Sequence, residues 1–239
     1  VKAKALGSRL ATGRHLSRQI DPVRRADIGR ERRLRTRAKI VAAAFALFGD
    51  EAGLHARAED VAAKAGITRA TFYNHFTGMA ELRDALTYEV THDFLEAVKR
   101  TISQMPDARD RSACAVRLYL RRGLIDRRWA WSMINLSAGG LIFGAETFRQ
   151  AEQTVREGVE QCVFHVPSVA LGRDLLMGTA LAAMSTIVRE APAADYVEAV
   201  AAQILFGLGV PMNDAQARVR KPLPQLDGAF KFDEVSTLT

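Results

Sequence analysis

Arg69, Thr71, Tyr73, Asn74 and His75 fall within seven consecutive positions, with Phe72 among them and Phe76 directly after. At helical spacing the two phenylalanines, four apart, share one edge, so the five polar residues turn away from it. A guanidinium, a hydroxyl, a phenol, an amide and an imidazole pack poorly in a core. They do match phosphate oxygens and the donor and acceptor edges of bases in a DNA groove. Thr68 is placed to cap the helix that carries them, and Arg57 is a further candidate for a phosphate contact.

Other chemistry finds no comparable concentration. The five histidines, His15, His55, His75, His92 and His165, stand in separate segments and form no HExxH pair. There is no GxSxG elbow, no Walker loop and no GxGxxG behind a strand, and Glu152, Glu157 and Glu160 are spaced like a solvated helix face. Cys114 and Cys162 make no CxxC or Cys/His spacing. That pattern fits a reducing compartment without a disulfide framework, a metal or a cofactor. The expectation is that the chain is not an enzyme.

Stepping outward, Val61, Ala62 and Ala65 give the preceding helix one apolar side and leave Glu59, Asp60 and Lys64 to water. Gly66 follows the last apolar residue, where a helix commonly ends in a left-handed conformation. Ile40, Val41, Ala44, Phe45, Leu47 and Phe48 form the stripe of an earlier helix, expected over about 31–49, and Leu54 is expected to pack down between the two. The spacing alone would also suit a helical hairpin of an ordinary bundle.

The residue identities narrow this. GITRATFYNHF, preceded by EDVAAKA and by KIVAAAFALFGDEAG, resembles the DNA-binding domain of the tetracycline-repressor (TetR) family of bacterial transcription regulators. The resemblance covers about 33–82 and is most specific over 62–76. It implies a double-stranded DNA operator, a homodimer, and a small-molecule effector held in the C-terminal bundle. The function implied is that of a repressor binding a palindromic operator and released by its ligand. Two departures stand out: Arg57 replaces the family's usual capping threonine, and Met79 replaces a lysine that binds a phosphate in the resembled proteins.

Charge agrees with a polyanionic partner for the N-terminal third. Residues 1–82 carry 16 Lys+Arg against 8 Asp+Glu, a net +8, and residues 83–239 carry 18 against 19, which together give the chain's +7. Residues 1–30, rich in arginine and without apolar period, read as a basic flexible arm, which is either a solubilising tail or a segment that adds counterion-release affinity on DNA. A second reading, a non-specific DNA-coating protein driven by that arm, predicts steep salt dependence and little choice of sequence. No apolar signal-peptide core appears at the start, and the charge-free run 129–145 carries too many polar and glycine residues to span a bilayer. A cytoplasmic protein without a membrane partner is expected.

Beyond residue 82 the pattern stays helical. One long helix runs from Met79 toward Pro106, and the next, over 111–126, is expected to turn Arg117, Arg121 and Arg122 outward. A short apolar piece ends at the Gly139-Gly140 pair, and a helix over 146–166 is expected to stop at Pro167. The last two are expected over 168–189 and 193–208. The first is close to apolar all round from Leu175 to Val188 and so needs covering on both sides, as by a second subunit, and the resemblance implies that both form the dimer interface. Tyr119, Trp129, Trp131, Met133, Phe143, Phe148, Met177 and Met184 are the candidates to line a ligand pocket, which would favour an apolar or aromatic molecule. The expected fold is therefore all-α. It comprises the arm (1–30), a three-helix helix-turn-helix DNA-binding domain (31–82), a ligand-binding and dimerisation bundle (83–210) and an irregular tail (211–239).

Overall fold

The structure is a computed structural model that describes residues 22–226. Among the described residues every regular element is a helix: α1 (Pro22–Phe48), α2 (Ala58–Ala65), α3 (Arg69–Tyr73), α4 (Met79–Ser103), α5 (Ala108–Ile125), α6 (Arg127–Ser137), α7 (Gly144–Glu160), α8 (Val169–Arg189), α9 (Tyr196–Gly207) and α10 (Met212–Val219), with a 3-10 turn at Glu51–His55.

Two units are described separately, dividing between Arg37 and Ala38. In the first, residues 22–30, expected within a flexible arm, are helical; the rest of the arm, 1–21, lies outside the described residues. Pro22 is tolerated there because a first-turn residue has no intrahelical partner for its missing N–H. Arg30 pairs with Asp27 at 3.4 Å, one turn apart, which supports helix where composition suggested a flexible arm, and Arg35 pairs with Glu31 at 2.8 Å in the part expected to be helical.

In the second unit, Ile40, Ala44 and Phe48 are fully buried along one stripe of α1. Asp50 opens the 3-10 turn by accepting from Ala52 N–H at 3.2 Å. Leu54 does not pack down as expected; it is 43% exposed, and Gly53 takes the buried position of that turn. The helices after Ser103 pack around α5, whose Leu118 and Leu120 are fully buried and which lies against α6, α7, α8 and α9. Arg117 on α5 is turned inward, not outward: it is 5% exposed, pairs with Glu198 at 3.2 Å and donates to Lys221 O at 2.9 Å. Its amphipathic pattern could not reveal a carboxylate supplied from α9, and a buried guanidinium needs one.

α7 stops at Glu160, short of the expected Pro167. Cys162 adopts φ 55° and the N–H groups of Val163 and Phe164 both reach back to Gly158 O at 2.9 Å. Phe164 then lies on Gly158, where any Cβ would meet its ring at 2.0 Å, so the glycine admits the fold-back. The tail is not irregular throughout: α10 occupies 212–219 and is docked by charge, Arg218 pairing with Asp107 at 3.0 Å and Asp110 at 2.8 Å. Residues 227–239 lie outside the described residues. α8 is the one described helix with the length and hydropathy of a membrane span, yet Leu176, Met177, Ala180, Ala183, Met184, Ile187 and Val188 are buried in the bundle.

A candidate DNA-reading helix and a cavity in the bundle

α2 and α3 are joined by a closed turn. Gly66 takes φ 66° and its N–H reaches Ala63 O at 3.1 Å, while Ile67 N–H reaches Ala62 O at 3.0 Å. Those two bonds satisfy the carbonyls that α2 would leave open. Arg57 precedes α2 and offers no side-chain cap; instead the Asp60 carboxylate accepts from Arg57 N–H at 2.8 Å, leaving the exposed guanidinium outside the helix start. Thr68 caps α3 by accepting from Thr71 N–H at 3.1 Å.

Phe72 and Phe76 are buried to 0% and 1% exposure, anchoring α3 by one edge. Burying each contributes on the order of 2–3 kcal/mol. Thr68, Arg69, Tyr73 and Asn74 are exposed, and Thr71 and His75 are half-buried. Thr71 Oγ1 shares a hydrogen bond with Thr68 Oγ1 at 2.9 Å, so its hydroxyl is engaged at the cap. Arg69 pairs with Glu59 of α2 at 3.0 Å and lies over the Tyr73 ring at 5.5 Å. Both groups of that ion pair are at least half exposed, so the pair orients Arg69 at little cost to release. The edge thus presents a guanidinium, a phenol and an amide together, without an apolar neighbour to be buried. Met79, in the place of the family's lysine, is partly buried against the core.

An apolar cavity of about 60 Å³, partly open to solvent, lies between α4, α5, α7 and α8. Tyr119, Phe143 and Met177 line it. The other five candidates lie elsewhere. Trp129 stands behind the wall, donating through Nε1 to Val90 O at 3.0 Å and meeting Tyr119 at 6.1 Å between ring centres. Trp131 lies under the Arg189 guanidinium at 4.6 Å, and Phe148 under that of Arg173 at 4.1 Å. Met133 and Met184 are fully buried core. Sequence reasoning missed Leu95, Val98 and Ile102 of α4, which form the floor, and the polar residues Ser112, Thr147 and Gln150. The α4 residues were legible as an apolar stripe; nothing in the stripe distinguished a cavity wall from filled core.

Tyr119 Oη and Thr147 Oγ1 hydrogen-bond each other at 3.1 Å, and burial pushes the Tyr119 phenol well above its ordinary range. A second cavity of about 590 Å³, open to a similar degree, lies between α4 and the segment joining α6 to α7, with Arg83, Asp84, Glu146 and Arg149 on its walls.

Residues 40–86 match the family model for bacterial regulatory proteins of the tetR family. This is a TetR-family DNA-binding domain. The chain is similar in structure to RolR in complex with the ligand resorcinol, with TM-score 0.68 and 23% identity over 82% of this chain and 98% of that one. RolR without ligand gives TM-score 0.64 at 21% identity, over 79% and 98% of the two chains. The fatty acid degradation regulator FadR from Bacillus halodurans gives 0.55 at 16%, over 71% and 94%. At these identities the likeness is one of fold. No curated protein matches the chain in sequence.

The TetR-type domain is tied to the bundle by polar contacts at the end of α1. Asn135 of α6 donates through Nδ2 to Phe48 O and to Asp50 O, each at 2.8 Å, and is 4% exposed. Arg189, at the end of α8, pairs with Glu51 of the 3-10 turn. α4 runs through both parts: Leu82 and Leu86 are fully buried near its start, Arg83 lies over the Phe48 ring at 5.5 Å, and Leu95, Val98 and Ile102 reach the cavity.

Proposed function

We propose that the chain is a ligand-responsive transcriptional regulator that binds a palindromic DNA operator as a dimer and is released by a small apolar or aromatic molecule. The observation that carries the reading is the α3 edge: Arg69, Tyr73 and Asn74 are exposed on a helix pinned by Phe72 and Phe76 and capped at Thr68. Two such helices in a two-fold dimer reach successive major grooves when they stand one helical turn apart, about 34–36 Å. The second subunit would lie on α8 and α9, where Leu171, Ala182, Gln203 and Phe206 are exposed beside Gly178, whose face is open.

The effector would enter the cavity between α4, α5, α7 and α8. The volume of about 60 Å³ is less than half the roughly 150 Å³ of an engineered cavity that takes benzene. A ring-sized ligand must therefore push wall residues aside, with Met177 the most adaptable of them. Because α4 contributes both cavity wall and DNA-domain core, and is roughly 37 Å long, displacement at Leu95 and Val98 is transmitted to α3. Ligand affinity for the displaced state then opposes DNA affinity. The similarity in fold to RolR solved with resorcinol supports a bundle of this kind admitting a single-ring ligand.

The test is DNA binding by Arg69→Ala and Tyr73→Ala measured by fluorescence anisotropy. Each is expected to weaken operator binding by roughly 10- to 100-fold, in keeping with about 1–3 kcal/mol per base contact, while sedimentation and helical content stay native. Unchanged affinity in both variants would remove α3 from the DNA interface.

A further inference from the structure

We propose that the effector is an uncharged molecule about one ring in size bearing a hydroxyl or carbonyl oxygen, and that Ser112 Oγ is the group that hydrogen-bonds it. The proposal rests on the reading of the α4, α5, α7 and α8 cavity as the effector site and adds the chemistry of what it holds.

Ser112 lies on α5 at 2% exposure and lines the cavity, and its Oγ has no hydrogen-bond partner. That sets it apart from the other buried hydroxyls. Thr91 donates to Thr87 O, Ser137 to Met133 O and Thr154 to Gln150 O, each one helical turn back; Ser132 donates to Trp129 O, and Thr147 pairs with Tyr119. A buried hydroxyl without a partner costs free energy comparable to a lost hydrogen bond, so an alanine would serve better there in a merely structural role. A ligand oxygen would satisfy it.

Charge is excluded by the same walls. No Asp, Glu, Lys, Arg or His is among the residues lining this cavity, and an unpaired ion in apolar surroundings is strongly disfavoured. Tyr119, the ionisable group in the lining, is a phenol that burial raises further above its ordinary range, so it carries no charge. Size is limited by volume: about 60 Å³ is four to six times the roughly 10–15 Å³ that one water needs, so a single ring enters only by displacing wall residues such as Met177 and a larger molecule is disfavoured.

Calorimetric titration of the full chain with phenol, toluene and benzoate separates the possibilities, with Ser112→Ala and Ala115→Leu as variants and circular dichroism to verify folding. Phenol should bind the native protein more tightly than its methyl isostere toluene, and benzoate should bind more weakly than phenol. Ser112→Ala should weaken phenol about three- to tenfold and leave toluene unchanged. Ala115→Leu narrows the cavity and should weaken phenol and toluene alike. Equal binding of phenol and toluene, or phenol binding indifferent to Ser112→Ala, would overturn the assignment of Ser112 while the cavity reading stands, provided Ala115→Leu abolishes both. Phenol binding undiminished by Ala115→Leu, or benzoate binding most tightly through the charged groove at Arg83 and Arg149, would overturn the cavity as the effector site. No binding of phenol or toluene to the native protein would overturn both.

Discussion

Asn135 illustrates how a single amide joins two parts of this chain. Its Nδ2 serves Phe48 O, at the end of α1, and Asp50 O, which also accepts from Gly53 N–H in the 3-10 turn. Asn135→Ala would leave the buried Phe48 O without that donor, at about 1–3 kcal/mol, while Asp50 O keeps its bond from Gly53 N–H at 3.0 Å. The expected result is a melting temperature lowered by several degrees in a thermal unfolding scan, together with weaker DNA binding. An unchanged melting temperature would mean that water replaces the amide. At this scale legibility was uneven, and the reason is physical. Gly66 and Thr68 act on their own neighbours, so their spacing disclosed the turn and the cap. Asn135, Ser112 and Arg117 act on partners distant in sequence, and no local pattern marks them. The aromatic and methionine candidates for the pocket were chosen by type, and type does not separate a cavity wall from filled core: Trp129, Trp131, Met133 and Met184 are buried core and Phe148 packs against it.

Among elements, α10 shows what a charge network adds to an apolar bundle. Arg218 pairs with Asp107, Asp110 and Asp214, and Lys221 with Asp110, both atoms at 2.9 Å. Asp107 also caps α5 by accepting from Arg109 N–H at 2.9 Å. Hydrogen bonding from the Arg109 side chain, with the Arg218 charge, holds the Asp107 carboxyl at about 2, below its ordinary 3.8. A folded-state value below the unfolded one means stability that is fully present above about pH 4 and is lost as pH falls toward 2. The contribution is on the order of 1 kcal/mol once solvent screening is allowed for. Asp107→Asn should therefore lower stability at pH 7 and flatten its decline between pH 5 and about 2; parallel acid limbs in chemical denaturation would contradict this. The helices themselves were largely legible from apolar period and from breakers at Pro106 and Gly139-Gly140. Where ends were misplaced, as in α7 and the tail, tertiary contact decided: Phe164 folding onto Gly158, and carboxylates of α5 drawing in α10.

For the whole molecule, the all-helical architecture and the DNA-binding domain were readable because a helix-turn-helix is a local device, complete within the residues that the family model matches, 40–86. A ligand site and a subunit interface are properties of surfaces assembled from distant segments, which no local sequence pattern marks. The exposed small-residue face of α8 bears on assembly. Ala182→Arg places a charge on that face beside Gly178 and is expected to give monomers in analytical ultracentrifugation, with operator affinity reduced at least tenfold because both half-sites are no longer engaged together. A variant that remained dimeric would move the interface elsewhere.

The claim that the rest depends on is that α3 reads sequence, twice per complex. Selection of bound duplexes from a random DNA pool tests it most directly. The account predicts recovery of an inverted repeat with half-sites about one helical turn apart, roughly 10 base pairs centre to centre, lost from the selection when Tyr73→Ala replaces the native protein. Recovery of duplexes without a shared motif, or of the same motif by both proteins, would contradict it.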